Sequence, residues 1–80
     1  PCLALAYEAL RRGGNTPCVL NAANEVANLA FRNAQCSFLH MAEVIAETMA
    51  RVPFIQTPTL QQLFDTDAEA RRVAAQMTDK

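Results

Sequence analysis

The stretch TPCVLNAANEVANLAFRNA, residues 16–34, decides the fold of this 80-residue chain. Its apolar side chains recur at intervals of three and four residues, which is typical of one face of an α-helix. These residues are Val19, Ala23, Val26, Ala27, Ala30, Phe31 and Ala34. Thr16 is expected to cap the helix and Pro17 to be its first residue, because the fixed φ of proline suits a position that needs no backbone hydrogen bond. A helix of this length measures about 27 Å, so the remaining segments can pack around it.

The face opposite the apolar one is unusually rich in asparagine. It carries Asn21, Asn24 and Asn28, together with Glu25 and Arg32. Asparagine is a mediocre helix former, because its amide competes for backbone groups. Three of them in one helix suggest that some amides are held by specific hydrogen bonds. The alternative is that Asn21 is a late N-cap and that the others are merely exposed.

The segment before this stretch is predicted to be a helix over Cys2–Arg12. Its apolar stripe consists of Leu3, Ala6, Tyr7 and Leu10, widened by Leu5 and Ala9. Arg11 and Arg12 fall in the last turn, where cations suit the helix dipole, and Gly13-Gly14 supplies a left-handed stop. So short a connection predicts that the first two helices form an αα-hairpin.

A third helix is predicted to begin near His40, which is a candidate N-cap, and to end before Pro53. Its inner face consists of Met41, Val44, Ile45, Thr48 and Val52. Residues 53–58, PFIQTP, form an extended connector between two prolines. Phe54 and Ile55 are expected to fill the core from this connector.

Two capping-box patterns follow the connector. Thr59 with Gln62 is predicted to open a short helical turn, and Thr66 with Glu69 to open the last helix. The inward residues are Leu60, Leu63 and Phe64 in the turn, and Ala70, Val73, Ala74 and Met77 in the helix. The sequence therefore predicts an all-α fold: a compact bundle of four helices, the first two an αα-hairpin, with a short helical turn before the last helix.

Composition excludes several classes of protein. Seven basic and eight acidic residues give a net charge of −1, so we expect no binding to nucleic acid or to an anionic membrane. No apolar run approaches the ~18 residues of a membrane span, and no signal peptide is visible. The chain begins with Pro1 rather than Met. We therefore expect residues 1–80 to be a single domain excised from a longer protein.

The cysteines are better explained by packing than by a metal site. Cys2, Cys18 and Cys36 contain no C-x-x-C pair, and free thiols fit a reducing cytosol. With His40 they could nominally supply four zinc ligands, but only Cys36 and His40 are close in sequence. Buried cysteine behaves as a small hydrophobic residue, so we expect no metal site here.

The remaining candidates for chemistry are few. Gly13 and Gly14 are the only glycines, so no phosphate-binding loop is expected. Ser37 and His40 lie near a helix start and are better explained as caps than as nucleophile and base. The acidic residues Asp65, Asp67 and Glu69 suggest a metal cluster, but acids are favoured at helix N-termini in any case. We expect no catalytic, cofactor-binding or metal-binding residue.

Several segments together resemble a known family. They are PCLALAYEAL at residues 1–10, Gly13-Gly14, NAANEV at residues 21–26, Phe38-Leu39 and DAEAR at residues 67–71. In the same order and spacing they resemble the C-terminal domain of 1-deoxy-D-xylulose 5-phosphate reductoisomerase, and NAANEV is the specific part. The chain departs from the family pattern at His40, Ala42 and Asn28, where Asp, Pro and an aliphatic residue are common.

The resemblance implies a role for the whole enzyme and for this domain. The family enzyme rearranges 1-deoxy-D-xylulose 5-phosphate and reduces the product to 2-C-methyl-D-erythritol 4-phosphate in non-mevalonate isoprenoid synthesis. It uses NADPH and a divalent metal, Mg or Mn, and is a homodimer in the bacterial cytoplasm. Its dinucleotide-binding domain and metal carboxylates precede this segment, so the resemblance implies a structural domain that packs on the catalytic part. The alternative is an autonomous helical interaction module whose likeness to the family is incidental.

Overall fold

A computed structural model describes the backbone of residues 2–78 and the side chains of residues 3–78. It contains four helices: α1 Cys2–Arg12, α2 Thr16–Arg32, α3 Phe38–Arg51 and α4 Leu60–Thr78. The predicted all-α bundle is confirmed, and so are the bounds of the first helix. The separate helical turn before the last helix is wrong, since that turn is the beginning of α4. None of these helices combines the length and the apolar run that crossing a membrane requires.

Helix α2 is the centre of the bundle and packs against each of the other three helices. Ala22, Ala23 and Ala27 on its inner face are fully buried, and such small side chains let neighbouring helices approach closely. Phe31 is exposed, so the predicted apolar face ends before it. The core shared by the four helices is formed by Ala9, Val19, Ala22, Ala23, Ala27, Ala30, Cys36, Met41, Val44, Ile45, Met49, Val52, Ala70, Val73 and Ala74.

The turn between α1 and α2 depends on the two glycines. Gly13 and Gly14 have φ angles of 65° and 57°, in the left-handed region that favours glycine. The Gly13 N–H donates to Ala9 O at 3.0 Å, which closes α1 as predicted. Thr16 is the first residue of α2 rather than its cap. Asn15 occupies the N-cap position but makes no capping bond with its side chain.

Asn15 instead joins three segments of the chain. Its Nδ2 donates to Pro53 O at 3.0 Å and to Thr66 Oγ1 at 3.1 Å, and its Oδ1 accepts from Ile55 N at 2.8 Å. Its backbone N–H donates to Ile55 O at 2.9 Å. The residue is 1% exposed. The α1–α2 turn, the connector and α4 are therefore held together through one buried amide.

Helix α2 ends at Arg32, two residues before the predicted end, in a regular C-terminal motif. Ala34 has a φ of 59°. Its N–H donates to Phe31 O at 3.0 Å, and the Gln35 N–H donates to Ala30 O at 2.8 Å. This pair of bonds is the Schellman motif, in which glycine normally takes the left-handed position. Here an alanine adopts the strained conformation.

Helix α3 begins at Phe38, close to the predicted start near His40, but the prediction that His40 is its N-cap is wrong. Ser37 Oγ accepts from the His40 N–H at 3.1 Å, which makes Ser37 the N-cap. His40 is the third residue of the helix. The predicted inner face, Met41, Val44, Ile45, Thr48 and Val52, is buried as expected, and Met49 joins it.

Thr59 opens α4 through the predicted capping box. The Gln62 N–H donates to Thr59 Oγ1 at 3.1 Å, and the Thr59 N–H donates to Gln62 Oε1 at 2.9 Å. The second predicted cap is wrong, because Thr66 lies inside α4 and is buried there. Of the last helix's predicted stripe, Ala70, Val73 and Ala74 are buried and Met77 is half-buried.

In the connector and the first turns of α4, three residues predicted to face the core are exposed instead. Leu60 and Phe64 in the first turns of α4 are 69% and 63% exposed, and Phe54 in the connector is 54% exposed. Leu63 and Ile55 are half-buried. The alanines of α2 leave little room between the helices, so the core is already filled without these larger side chains.

Candidate functional site

Ser37 and His40, the residues considered as nucleophile and base, make contacts that hold helices in place. Ser37 Oγ is occupied by the capping bond to the His40 backbone. The His40 ring contacts one group on each of two helices. Its Nε2 lies 3.2 Å from Met77 O of α4, and its Nδ1 lies 3.4 Å from Glu43 Oε1 of α3. The ring thus links the start of α3 to the end of α4. This geometry favours the capping interpretation over a catalytic pair.

The two cysteines with described side chains are partly or fully buried and lie near backbone carbonyls. Cys18 Sγ is 3.5 Å from Leu63 O, and Cys36 Sγ is 3.4 Å from Ser37 O. Burial raises the pKa of both thiols, which keeps them protonated. The side chain of Cys2 lies outside the described residues. Within residues 3–78, no three Cys, His, Asp or Glu side chains come together as a metal site would require.

The acidic residues of α4 are paired along their own helix. Gln61 Nε2 donates to Asp65 Oδ1 at 3.0 Å, Arg71 Nε lies 2.8 Å from Asp67 Oδ2, and Arg72 pairs with Glu69 in the same way. Their explanation as helix-start residues is wrong, because α4 begins at Leu60. The two arginines neutralise Asp67 and Glu69 on the helix surface, whereas Asp65 is bonded only to a neutral amide.

The asparagine face of α2 lies at the surface. Asn21 Nδ2 donates to Glu25 Oε2 at 3.2 Å, and Asn28 Nδ2 donates to Asn24 O at 2.9 Å and to Asn24 Oδ1 at 3.0 Å. Glu25 also pairs with Arg71 of α4, at 3.1 Å. The amides do hold specific hydrogen bonds, as the first interpretation expected, but these bonds run along the exposed face rather than to buried partners.

A surface pocket of about 340 Å³ lies beside this face, between α2 and α4. It is lined by Asn24, Glu25, Val26, Asn28, Leu29, Arg32 and Arg71. Arg71, its cation from α4, is already held by Asp67 and Glu25. The hydrogen bonds that Arg71 donates to those two carboxylates, first Asp67 and then Glu25, raise its pKa. The charges of Arg71 and Glu25 in this pocket are therefore already paired with each other within the protein.

The most prominent remaining feature is an exposed apolar row on α1. Leu3, Tyr7 and Leu10, which we call the α1 stripe, are 70%, 67% and 71% exposed. They belong to the apolar stripe predicted for the first helix, but that stripe does not face the core here; Ala9 is the buried residue, and Leu5 and Ala6 are half-buried. Exposed apolar rows of this kind mark surfaces that contact another protein surface. The α1 stripe is the candidate functional surface of the chain.

Comparison with known proteins identifies one family. The family model described as the DXP reductoisomerase C-terminal domain matches residues 1–73. DXP stands for 1-deoxy-D-xylulose 5-phosphate, so the resemblance drawn from NAANEV and its flanking segments is confirmed. No solved structure matches this chain.

The curated relatives are named 1-deoxy-D-xylulose 5-phosphate reductoisomerase. That of Phocaeicola vulgatus is 60% identical over 72 residues, which cover 90% of this chain and 19% of the relative. That of Bacteroides fragilis is 55% identical over 78 residues, 98% of this chain and 20% of the relative. That of Ralstonia nicotianae is 50% identical over 74 residues, 92% of this chain and 19% of the relative. The chain therefore spans about a fifth of the length of the relatives it matches.

Proposed function

The chain belongs to the family of DXP reductoisomerase C-terminal domains, and we propose that it is the helical accessory domain of such an enzyme. The observation that carries this proposal is the unequal coverage of the match. Nearly all of this chain aligns, but only about a fifth of each relative. The other four fifths of such an enzyme are then available for cofactor binding and catalysis.

The whole enzyme, by this proposal, converts 1-deoxy-D-xylulose 5-phosphate to 2-C-methyl-D-erythritol 4-phosphate. It uses NADPH and a divalent metal, Mg or Mn, both bound by the catalytic and dinucleotide-binding parts that precede this domain. We propose that the enzyme is a cytoplasmic homodimer. The thiols of Cys18 and Cys36, both free, agree with a reducing compartment.

The domain itself is proposed to be structural and non-catalytic. Two of its reactive side chains make contacts within the fold: Ser37 caps α3, and His40 lies against α4. Burial raises the pKa of the Cys18 and Cys36 thiols, which keeps them protonated. The net charge of −1 also supports a protein that binds neither nucleic acid nor an anionic membrane. Membership in the family favours this role over an autonomous interaction module.

The proposal is tested by removing the domain from the full enzyme. A version truncated before Pro1 should lose most of its activity and melt at a lower temperature, because loss of a supporting domain misplaces the active site and small misplacements cost large factors in rate. Full activity and unchanged melting of the truncated enzyme would rule out a supporting role.

A second experiment tests whether the domain binds cofactor. The 80-residue chain, once circular dichroism shows that it is helical, should give no binding heat with NADPH in calorimetry. The full enzyme provides the positive control. Micromolar binding of NADPH by the fragment would contradict a purely structural domain.

A further inference from the structure

We propose that the α1 stripe is the surface through which this domain packs on the catalytic part of its own polypeptide. This inference rests on the proposed function, because it assigns the docking surface of the accessory domain. It depends on three observations: how weakly α1 is held by the bundle, how the stripe is arranged, and where the rest of the polypeptide lies.

Helix α1 buries only a small part of its side-chain surface against the rest of the bundle. It has 11 residues, and among those with described side chains Ala9 alone is buried. Isolated helices shorter than ~12–15 residues are marginal in water, and helices in proteins are stabilised mainly by packing of an apolar face. Ala9 and the half-buried Leu5, which packs against the core, supply that packing, and the α1 stripe contributes little to it within the domain. A second surface against the α1 stripe would supply the rest.

The arrangement of the α1 stripe suits a docking surface. Its residues are spaced i, i+4 and i+7, which places them within about 60° of one another around the helix and over about 10 Å of its length. Arg11 lies beside the stripe and is held by Glu8, with Arg11 Nη2 2.6 Å from Glu8 Oε2. An aromatic residue at the centre with a charged residue at the edge is typical of an interface core and its polar rim.

The relatives identify the occupant as the preceding part of the same polypeptide. They are about five times as long as this chain, and the matching family is defined as a C-terminal domain. In such a protein the catalytic part enters this domain directly before α1. The α1 stripe is then the exposed apolar surface nearest to that entry, so docking there needs the shortest connection.

Four of the other exposed apolar residues belong to segments with contacts of their own. Leu60 and Phe64 belong to α4, which has 19 residues and is anchored by five buried side chains. Phe31 and Phe38 contact each other edge to face, with ring centroids 6.0 Å apart. Among the described side chains of the four helices, those of α1 alone combine a single buried residue with a row of exposed apolar residues at i, i+4 and i+7.

The test compares two leucines that are equally exposed in the domain. Leu10→Cys and Leu60→Cys are made in the full-length enzyme, and their labelling rates with N-ethylmaleimide are measured by peptide mass spectrometry, which separates them from the native cysteines. Leu10 and Leu60 are 71% and 69% exposed, so exposure within the domain is matched. We expect Leu10→Cys to label at least tenfold more slowly. Equal rates, or slower labelling of Leu60→Cys, would overturn the inference.

Cross-linking identifies what covers the α1 stripe. Tyr7 is replaced by p-benzoylphenylalanine in the full-length enzyme and irradiated. Cross-links to residues preceding Pro1 within the same polypeptide are expected, with the mobility of a single chain on a denaturing gel. A covalent dimer would show that a second copy is the occupant and would overturn the inference.

The two proposals fail separately. If Leu10→Cys labels as fast as Leu60→Cys while the truncated enzyme is inactive, the domain has a supporting role but docks through another surface. If the truncated enzyme is fully active, the supporting role itself fails, whatever covers α1. Should Leu10→Cys lower the melting temperature of the full enzyme while Leu60→Cys does not, the inference is supported, because Leu10 lies at the surface of the domain alone.

Discussion

The Cα of Gly14 faces the carbonyl oxygen of Ile55 so closely that a side chain on Gly14 has no room. Phe54 closes the same space, with its Cε1 3.0 Å from the position that a Cβ would occupy. The α1–α2 turn and the connector are thus packed backbone to backbone. At the neighbouring Gly13, no atom lies within 4 Å of the position that a Cβ would occupy.

These neighbouring glycines give the first prediction. Gly13→Ala should lower the free energy of unfolding by about 1–2 kcal/mol, the cost of a left-handed alanine. Gly14→Ala should cost at least about 1 kcal/mol more, because it adds a backbone clash to the same conformational cost. Urea unfolding of both variants checks this. Equal midpoints for the two variants would show that the connector moves away freely.

The second prediction concerns the alanine that ends α2. Ala34→Gly should raise the free energy of unfolding by about 0.5–1 kcal/mol, because glycine adopts the left-handed φ of a Schellman motif without strain. Ala46→Gly is the matched control, at an exposed position inside α3, and should lower it by about 1 kcal/mol. Thermal unfolding of both variants measures the difference. A destabilising Ala34→Gly would mean that α2 does not end in this motif in solution.

The third prediction tests the buried amide of Asn15. Asn15→Ala should lower the free energy of unfolding by about 3 kcal/mol, since it leaves Pro53 O and Ile55 N unpaired in a buried site. Thr66→Val should cost about 1 kcal/mol. The double variant should cost about 0.5–1.5 kcal/mol less than the sum of the two, because they share a bond. Asn33→Ala, at an exposed helix end, is the control and should change stability by less than about 0.5 kcal/mol.

The fourth prediction concerns pH. Hydrogen bonds from Arg11 and then from Arg12 lower the pKa of Glu8 to about 2, from an ordinary value of 4.5. A carboxylate whose pKa is lower in the folded state stabilises the fold above about pH 4.5, and this contribution is lost as the pH falls through about 2. Glu8→Gln should therefore show a smaller loss of stability than the parent protein between pH 4.5 and 2.

Carboxyl titration by NMR provides the direct measurement of that shift. In the double variant Arg11→Gln, Arg12→Gln the pKa of Glu8 should return to about 4.5, its ordinary value. The shift should also shrink at 1 M salt, because the pair is at the surface and is screened. A pKa of Glu8 above 4 in the parent protein would mean that these ion pairs do not persist in solution.

Local signals predicted the helices well. The glycine stop after Arg12, the box of Thr59 with Gln62, and proline at position 53 each act within a few residues, and each places a helix boundary close to where it lies. The inner face of α3 was predicted correctly from the spacing of its apolar residues alone. These features depend on backbone chemistry that is complete within one segment.

Long-range contacts explain the errors. Thr66 with Glu69 has the pattern of a capping box, but Thr66 accepts a bond from Asn15, a partner 51 residues away that no local pattern specifies. Asn15 follows two glycines and so resembles an ordinary turn residue. The stripe of α1 was correctly identified as apolar, but periodicity does not tell whether an apolar row faces its own core or another surface.

The hydrogen bond from Asn15 to Thr66 also sets an order of events during synthesis. Ribosomes add about 5–20 residues per second, so Thr66 is made roughly 3–10 s after Asn15. A helix–coil transition takes microseconds or less, so helical turns in α1 and α2 can form and dissolve many times before Thr66 is made. The bond from Asn15 to Thr66 can form only once the middle of α4 has been made, so the α1–α2 turn, which belongs to the part of this domain that is synthesised first, is joined to α4 late.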